Sequence, residues 1–209
     1  MSRARNSLPF ALGAAAFAAL AGVVASGAAT GFDQRACDQL MPFAGKPAAP
    51  PTFLESLVPL LHAGWHPAGA AVAQIVTLPG QLVVSFLLVT LAARKLRAPV
   101  WIGVWLAAVA LEVVVRHILT RPALYRAGVH VAAFDSSWPS GHALRCALVA
   151  VVVAAAWPRF RAVLAAWLVA AVVLLLLAGA HTPTDLAGGL LLALLARGAA
   201  LRSSRLREA

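Results

Sequence analysis

Six apolar stretches, residues 8–29, 68–93, 99–119, 141–157, 162–180 and 186–201, take up most of this 209-residue chain. Runs of about 18 or more such residues with few charges are long enough to cross a bilayer as helices. Of the whole chain 62% is apolar and 11% charged, with a mean hydropathy of +0.86, which is too apolar for a soluble domain. The expected fold is therefore all-α, a polytopic membrane protein with six transmembrane helices. Pro79-Gly80 should kink the second span.

Net charge is +10, which in a soluble protein would raise nucleic acid as a partner. Here the basic residues cluster at 3–5, 94–97, 159–161 and 197–207, at the ends of apolar runs. Six spans put all four clusters and both termini on one side, cytoplasmic by the positive-inside rule. The expectation is thus a plasma-membrane protein whose segments 31–66, 120–140 and 181–185 share the extracytoplasmic face, with no nucleic-acid partner.

The chain divides into a first helix (1–30), a connector (31–66), a five-helix core (67–201) and a basic tail (202–209). Arg3 and Arg5 before an apolar run also fit a secretory signal, but the run is long and further spans follow, which favours an uncleaved helix. In the connector, Phe53, Leu54, Leu57, Val58 and Leu61 share one helical face, as in an interfacial helix. Pro59 would bend it, and a plain loop is the alternative. Cys37 and Cys146 supply neither a disulfide framework nor metal-ligand spacing.

The most informative polar stretch is Ser137-Trp138-Pro139-Ser140-Gly141-His142. Pro139 ends extended chain, Ser140 is a good N-cap and Gly141 allows close backbone approach. The free N–H groups of that first turn and the helix dipole make a seat for an anion, beside which stands the His142 imidazole. Further on, His181 and Asp185 are four apart across another helix start. Thr182 suits the N-cap, Pro183 the first turn and Asp185 the third position, a capping-box pattern that by itself explains the aspartate. The same carboxylate can also hold one imidazole nitrogen protonated and leave the other as a nucleophile.

Pro139-Ser140-Gly141-His142 and His181-Thr182-Pro183-Thr184-Asp185-Leu186-Ala187-Gly188-Gly189 together resemble the second and third signature motifs of the type-2 phosphatidic acid phosphatase superfamily. The resemblance implies a six-helix, metal-independent lipid phosphate phosphatase that needs no cofactor. It makes His181 the nucleophile that forms a phosphohistidine, Asp185 its orienting partner and His142 the general acid. Implied substrates are phosphatidic acid, phosphatidylglycerol phosphate or prenyl diphosphates.

Two parts of the family pattern are missing. Its first motif is a lysine, six spacers and Arg-Pro. Taking Arg121-Pro122 as the Arg-Pro puts Val114 at the lysine, whereas taking Arg116 as the lysine puts Ala123 at the arginine. The Ser-Arg that opens the third motif is Leu174-Leu175. Arg116, Arg121, Ser140, Gly141 and Arg145 are the candidates to hold phosphate. Arg145, one turn below His142, either replaces the missing arginine, pairs with Glu112 or snorkels its charge upward, and Glu112 and Arg116 form an i, i+4 pair. Arg126 and His130 fit a solvated loop, and His62, His66 and His117 receive no role. Other readings are a catalytically weak relative that binds lipid phosphate or supports a membrane partner, and a metal site at His142, His181 and Asp185, whose residue types allow one.

Overall fold

A computed structural model describes residues 8–41 and 67–206. Its helices are α1 (Leu8–Ala25), α2 (Thr30–Leu40), α3 (Pro67–Thr77), α4 (Leu82–Leu96), α5 (Val100–Ile118), α6 (Gly141–Ala156), α7 (Arg161–Leu177) and α8 (Pro183–Leu206). A small hairpin, β1 (Tyr125–Arg126) and β2 (Val129–His130), interrupts the all-α architecture, with Tyr125 paired to His130 and Arg126 to Val129. The interfacial helix expected at 53–61 lies outside the described residues.

Among the described residues three helices are long and apolar enough to cross a membrane: Val100–Ile118, Pro158–Leu177 and Pro183–Ser203. Two bent pairs bring the candidates to five if each pair is one span. Phe10–Ala25 with Thr30–Leu40 bends by 80°, and Val72–Gly80 with Leu82–Leu96 by 54°, at the expected Pro79-Gly80 break. Among the described residues there are therefore three to five candidate spans, against six expected, and the expected run not among them is α6. Its cap at Ser140 and the Trp157-Pro158 break hold it to 16 residues, about 24 Å, short of a ~30 Å hydrocarbon layer.

What α6 lacks in length it makes up in burial. Gly141, Ala143, Leu144, Cys146, Ala147, Leu148, Val149, Ala150 and Val152 are all buried, so apart from His142 and Arg145 it is apolar and buried on most sides, as suits a central helix. It packs against α4, α5, α7 and α8. The main core joins Leu144, Leu148 and Val152 to Trp101 and Trp105 of α5 and to Leu192 and Ala196 of α8.

Helices α6 and α8 both start at the same end of the molecule, where the Ser140 N–H donates to the Asp185 carbonyl at 2.9 Å. Helix α4 also starts there, next to Gln81, whose amide lies 3.4 Å from the His142 ring. Arg94, Lys95, Arg159, Arg161, Arg197 and Arg202 consequently gather towards the opposite end. Helix α1 spans the length of the bundle. Phe10 stacks under Arg202 at 4.4 Å, and Phe17 lies 5.1 Å from the Trp138 ring.

The segment from residue 31, expected as a polar connector, opens with helix α2. Its polar side chains are used by the hairpin: Gln34 donates to the Tyr125 carbonyl at 2.6 Å and accepts from the Tyr125 N–H at 3.0 Å. Arg126 reaches the Cys37 carbonyl at 3.0 Å. Both cysteines are free and buried.

The α6–α8 crossing is close because Gly189 has no side chain. A Cβ there would collide with the Ser140 carbonyl oxygen and come within 3.1 Å of the Ala143 Cβ and the Leu144 nitrogen. Gly189→Ala should therefore push the two helix starts apart and cost about 1–3 kcal/mol of stability. Thermal melting of the purified protein in detergent checks this, and an unchanged midpoint would show the crossing to be looser than described.

Candidate active site

The site is built on two helix entrances. At α6, the Ser140 hydroxyl accepts from the Ala143 N–H at 3.2 Å, the N-cap its residue type predicts. At α8 a reciprocal capping box forms. Asp185 Oδ2 accepts from the Thr182 N–H at 2.9 Å and Thr182 Oγ1 accepts from the Asp185 N–H at 3.3 Å.

Each entrance carries an imidazole, and the two rings meet with their centroids 6.1 Å apart and their planes at 48°. His142 is half-buried, whereas His181 is 7% exposed. His181 Nδ1 faces Asp185 Oδ2 at 3.9 Å, ion-pair range and too long for a hydrogen bond. That nitrogen is buried and has no hydrogen-bond partner among the described residues. Such contacts are often long in ligand-free sites and tighten when substrate binds.

Asp185 is fully buried and its carboxylate is already well occupied. Besides the Thr182 N–H, Oδ2 accepts from the Ser137 hydroxyl at 2.6 Å, and Oδ1 accepts from Arg121 Nη1 at 2.8 Å. Arg121, expected to hold phosphate, therefore faces carboxylates. Its Nη1 also donates to Thr182 Oγ1 at 3.1 Å, and its Nη2 donates to Asp33 Oδ2 at 2.6 Å, with the side chain 3% exposed. The structure places Arg121 as a tie between segments.

Asp33 was not among the expected site residues. It is fully buried on α2 and accepts from Thr184 Oγ1 at 2.5 Å and from the Thr184 N–H at 3.3 Å, as well as from Arg121. Its neighbours Gln34, Arg35 and Asp38 make the stretch read as solvated, and nothing local in the sequence pairs it with residues 88 and 151 positions away. The one available signal was an acid in the first turn of an amphipathic segment.

Arg116 and Arg145 converge on a third buried carboxylate, Glu112. Arg116 Nη1 donates to Glu112 Oε1 at 3.0 Å, and Arg145 Nη1 lies 3.6 Å from Oε2. Backbone carbonyls hold both guanidiniums as well, Arg116 Nε on Ser136 at 2.7 Å and Arg145 Nε on Gly80 at 2.6 Å. The group sits against the first turn of α6. A Cβ on Gly141 would fall 2.6 Å from Glu112 Oε1 and 2.8 Å from Arg145 Nη1, so a side chain there would displace the two charged ends. Of the expected residues, then, His142, His181, Asp185, Ser140, Gly141, Arg116 and Arg145 come together, and Arg121 stands behind Asp185. Among the described residues no three His, Cys, Asp or Glu side chains gather as a metal site.

No curated protein and no solved structure matches the chain. Residues 116–208 match the PAP2 superfamily, a stretch that starts at Arg116 and takes in both helix entrances and both imidazoles. Residues 116–208 of this helical, membrane-type chain are a PAP2 superfamily domain.

Proposed function

We propose that the chain is an integral membrane phosphatase that hydrolyses a lipid phosphate ester through a phosphohistidine. The observation that carries this reading is the pair of imidazoles, 6.1 Å apart at two helix starts. Phosphoryl transfer asks a protein mainly for positioning and charge stabilisation, and a nucleophile and an acid on opposite sides of phosphorus permit in-line displacement. His181, with Nδ1 towards Asp185, offers its other ring nitrogen to phosphorus. His142 gives its proton to the leaving oxygen, and water then attacks the phosphohistidine and releases phosphate.

Oxygens of the phosphoryl group would be held by the free N–H groups of the first turn of α6, beyond the Ser140 cap, and by Arg116 and Arg145. Arg121 and Asp33 act behind Asp185. They fix the carboxylate that fixes the histidine. With the basic helix ends at the far side of the bundle, the site lies on the extracytoplasmic face under the positive-inside rule. A phosphate at that level leaves the lipid tails in the bilayer, and a prenyl diphosphate would meet the same requirement. A second reading, a lipid-phosphate binder without turnover, is favoured by one observation: Arg121 is engaged by carboxylates and unavailable to substrate.

His181→Ala should abolish release of phosphate from a lipid phosphate, a loss of about 10³-fold or more, and His142→Ala should lower kcat by about 10²–10³-fold. Phosphate release by the purified protein checks both, and turnover that survives His181→Ala would remove the histidine mechanism. Asp33→Asn should lower kcat about ten- to a hundredfold with KM little changed, because Asp33 touches Arg121 and no substrate. A matching rise in KM would instead place Asp33 in binding.

A further inference from the structure

Three arginines and three buried carboxylates surround the imidazoles, and with neutral rings their formal charges cancel. The distribution is uneven. Arg121 is shared by two carboxylates, Asp33 and Asp185, which leaves one negative unit behind the α8 entrance. Glu112 is shared by two guanidiniums, Arg116 and Arg145, which leaves one positive unit at the α6 entrance.

A buried carboxylate at the cationic end of an anion seat needs a reason, because it repels the anion that the seat is to hold. Holding the arginines in place is not that reason. The Ser136 and Gly80 carbonyls already fix the two Nε groups without help from Glu112. Nor is Glu112 a surface residue caught in passing. It is 2% exposed and presses on the one position of α6 that has no side chain to exclude it. What Glu112 adds is charge.

We propose that Glu112 lowers the charge of the α6 seat by one unit, to a single positive unit while His142 is neutral and before it carries the proton for the leaving oxygen, so that the seat selects a phosphoryl group carrying one negative charge over one carrying two. The proposal rests on the reading of this site as a phosphoryl site. The first negative charge is matched by the excess guanidinium and the free N–H groups of the helix start. A second charge meets the Glu112 carboxylate within a few ångströms, in a buried setting where like charges repel far more strongly than in water. Singly charged phosphoryl groups come from two sources, a phosphodiester or a monoester bound in its half-ionised form.

The test measures binding of octyl phosphate and of its methyl ester, octyl methyl phosphate, to the purified full chain in detergent by calorimetry. The pH is held about two units above the second phosphate pKa of ~6, where the first carries two charges and the second one. Wild type should bind the methyl ester more tightly. Glu112→Gln keeps the shape and an oxygen for Arg116, and should tighten octyl phosphate about tenfold or more while changing the methyl ester less than about threefold. Arg116→Gln should weaken both. Wild-type preference for the doubly charged ligand, or equal effects of Glu112→Gln on the two, overturns the proposal, and the wild-type comparison decides even where a variant fails to fold. Turnover of the same two compounds separates the sources. Phosphate released from octyl phosphate, faster as the pH is lowered towards ~6, marks the half-ionised monoester, and alcohol released from the methyl ester marks the diester. Preference in binding with no turnover of either upholds the charge setting and sinks the catalytic reading.

Discussion

The carboxylate of Asp185 ties together the segments from which the site is made. It accepts hydrogen bonds from Ser137, from the Thr182 N–H and from Arg121, and the carbonyl of the same residue accepts from the Ser140 N–H. One residue thus fixes the α8 entrance, the α6 entrance and the loop that follows α5. Through Arg121 the tie extends to Asp33 on α2, outside the PAP2 domain. Buried ion pairs of this kind add little net stability, but loss of one partner leaves an uncompensated buried charge, so the arrangement holds as a unit.

Function follows from what this unit leaves at its edge. The capping interactions that start α6 and α8 also set the directions in which His142 and His181 leave the backbone. The glycines make the crossing close enough for the rings to meet: Gly189 lets α8 touch the Ser140 carbonyl, and Gly141 lets Glu112 and Arg145 reach the first turn of α6. Helix α6 sits in the middle of the bundle, with its start in the site and its apolar length surrounded by α4, α5, α7 and α8.

Local chemistry made part of this readable from the letters. The Ser140 cap, the Thr182–Asp185 capping box, the Pro79-Gly80 bend and most helix boundaries depend on neighbours a few residues apart, and each took its expected form. The convergence of the two histidines was readable only because two motifs occurred together. Pairings between distant segments left no periodic trace. Helix α2 looks like a solvated connector because half of it is polar, yet those polar groups serve the hairpin and Arg121. Arg121 looks like a phosphate ligand beside Pro122, yet two buried carboxylates claim it. Arg145 was open to phosphate, to Glu112 or to snorkelling, and it lies beside Glu112 with its Nε on the Gly80 carbonyl, a partner no local pattern names. Counting apolar runs does not separate spans from core helices, and the run that starts at Gly141 forms a buried helix of 16 residues.

The central claim is that His181 carries the phosphoryl group between substrate and water. Its most direct test is to mix the purified protein with lipid phosphate labelled at phosphorus, quench with alkali during turnover and map the labelled residue. The account predicts an acid-labile, alkali-stable label on His181. Steady turnover with no protein-bound label at any quench time, or a label on His142 or any other side chain, would contradict it.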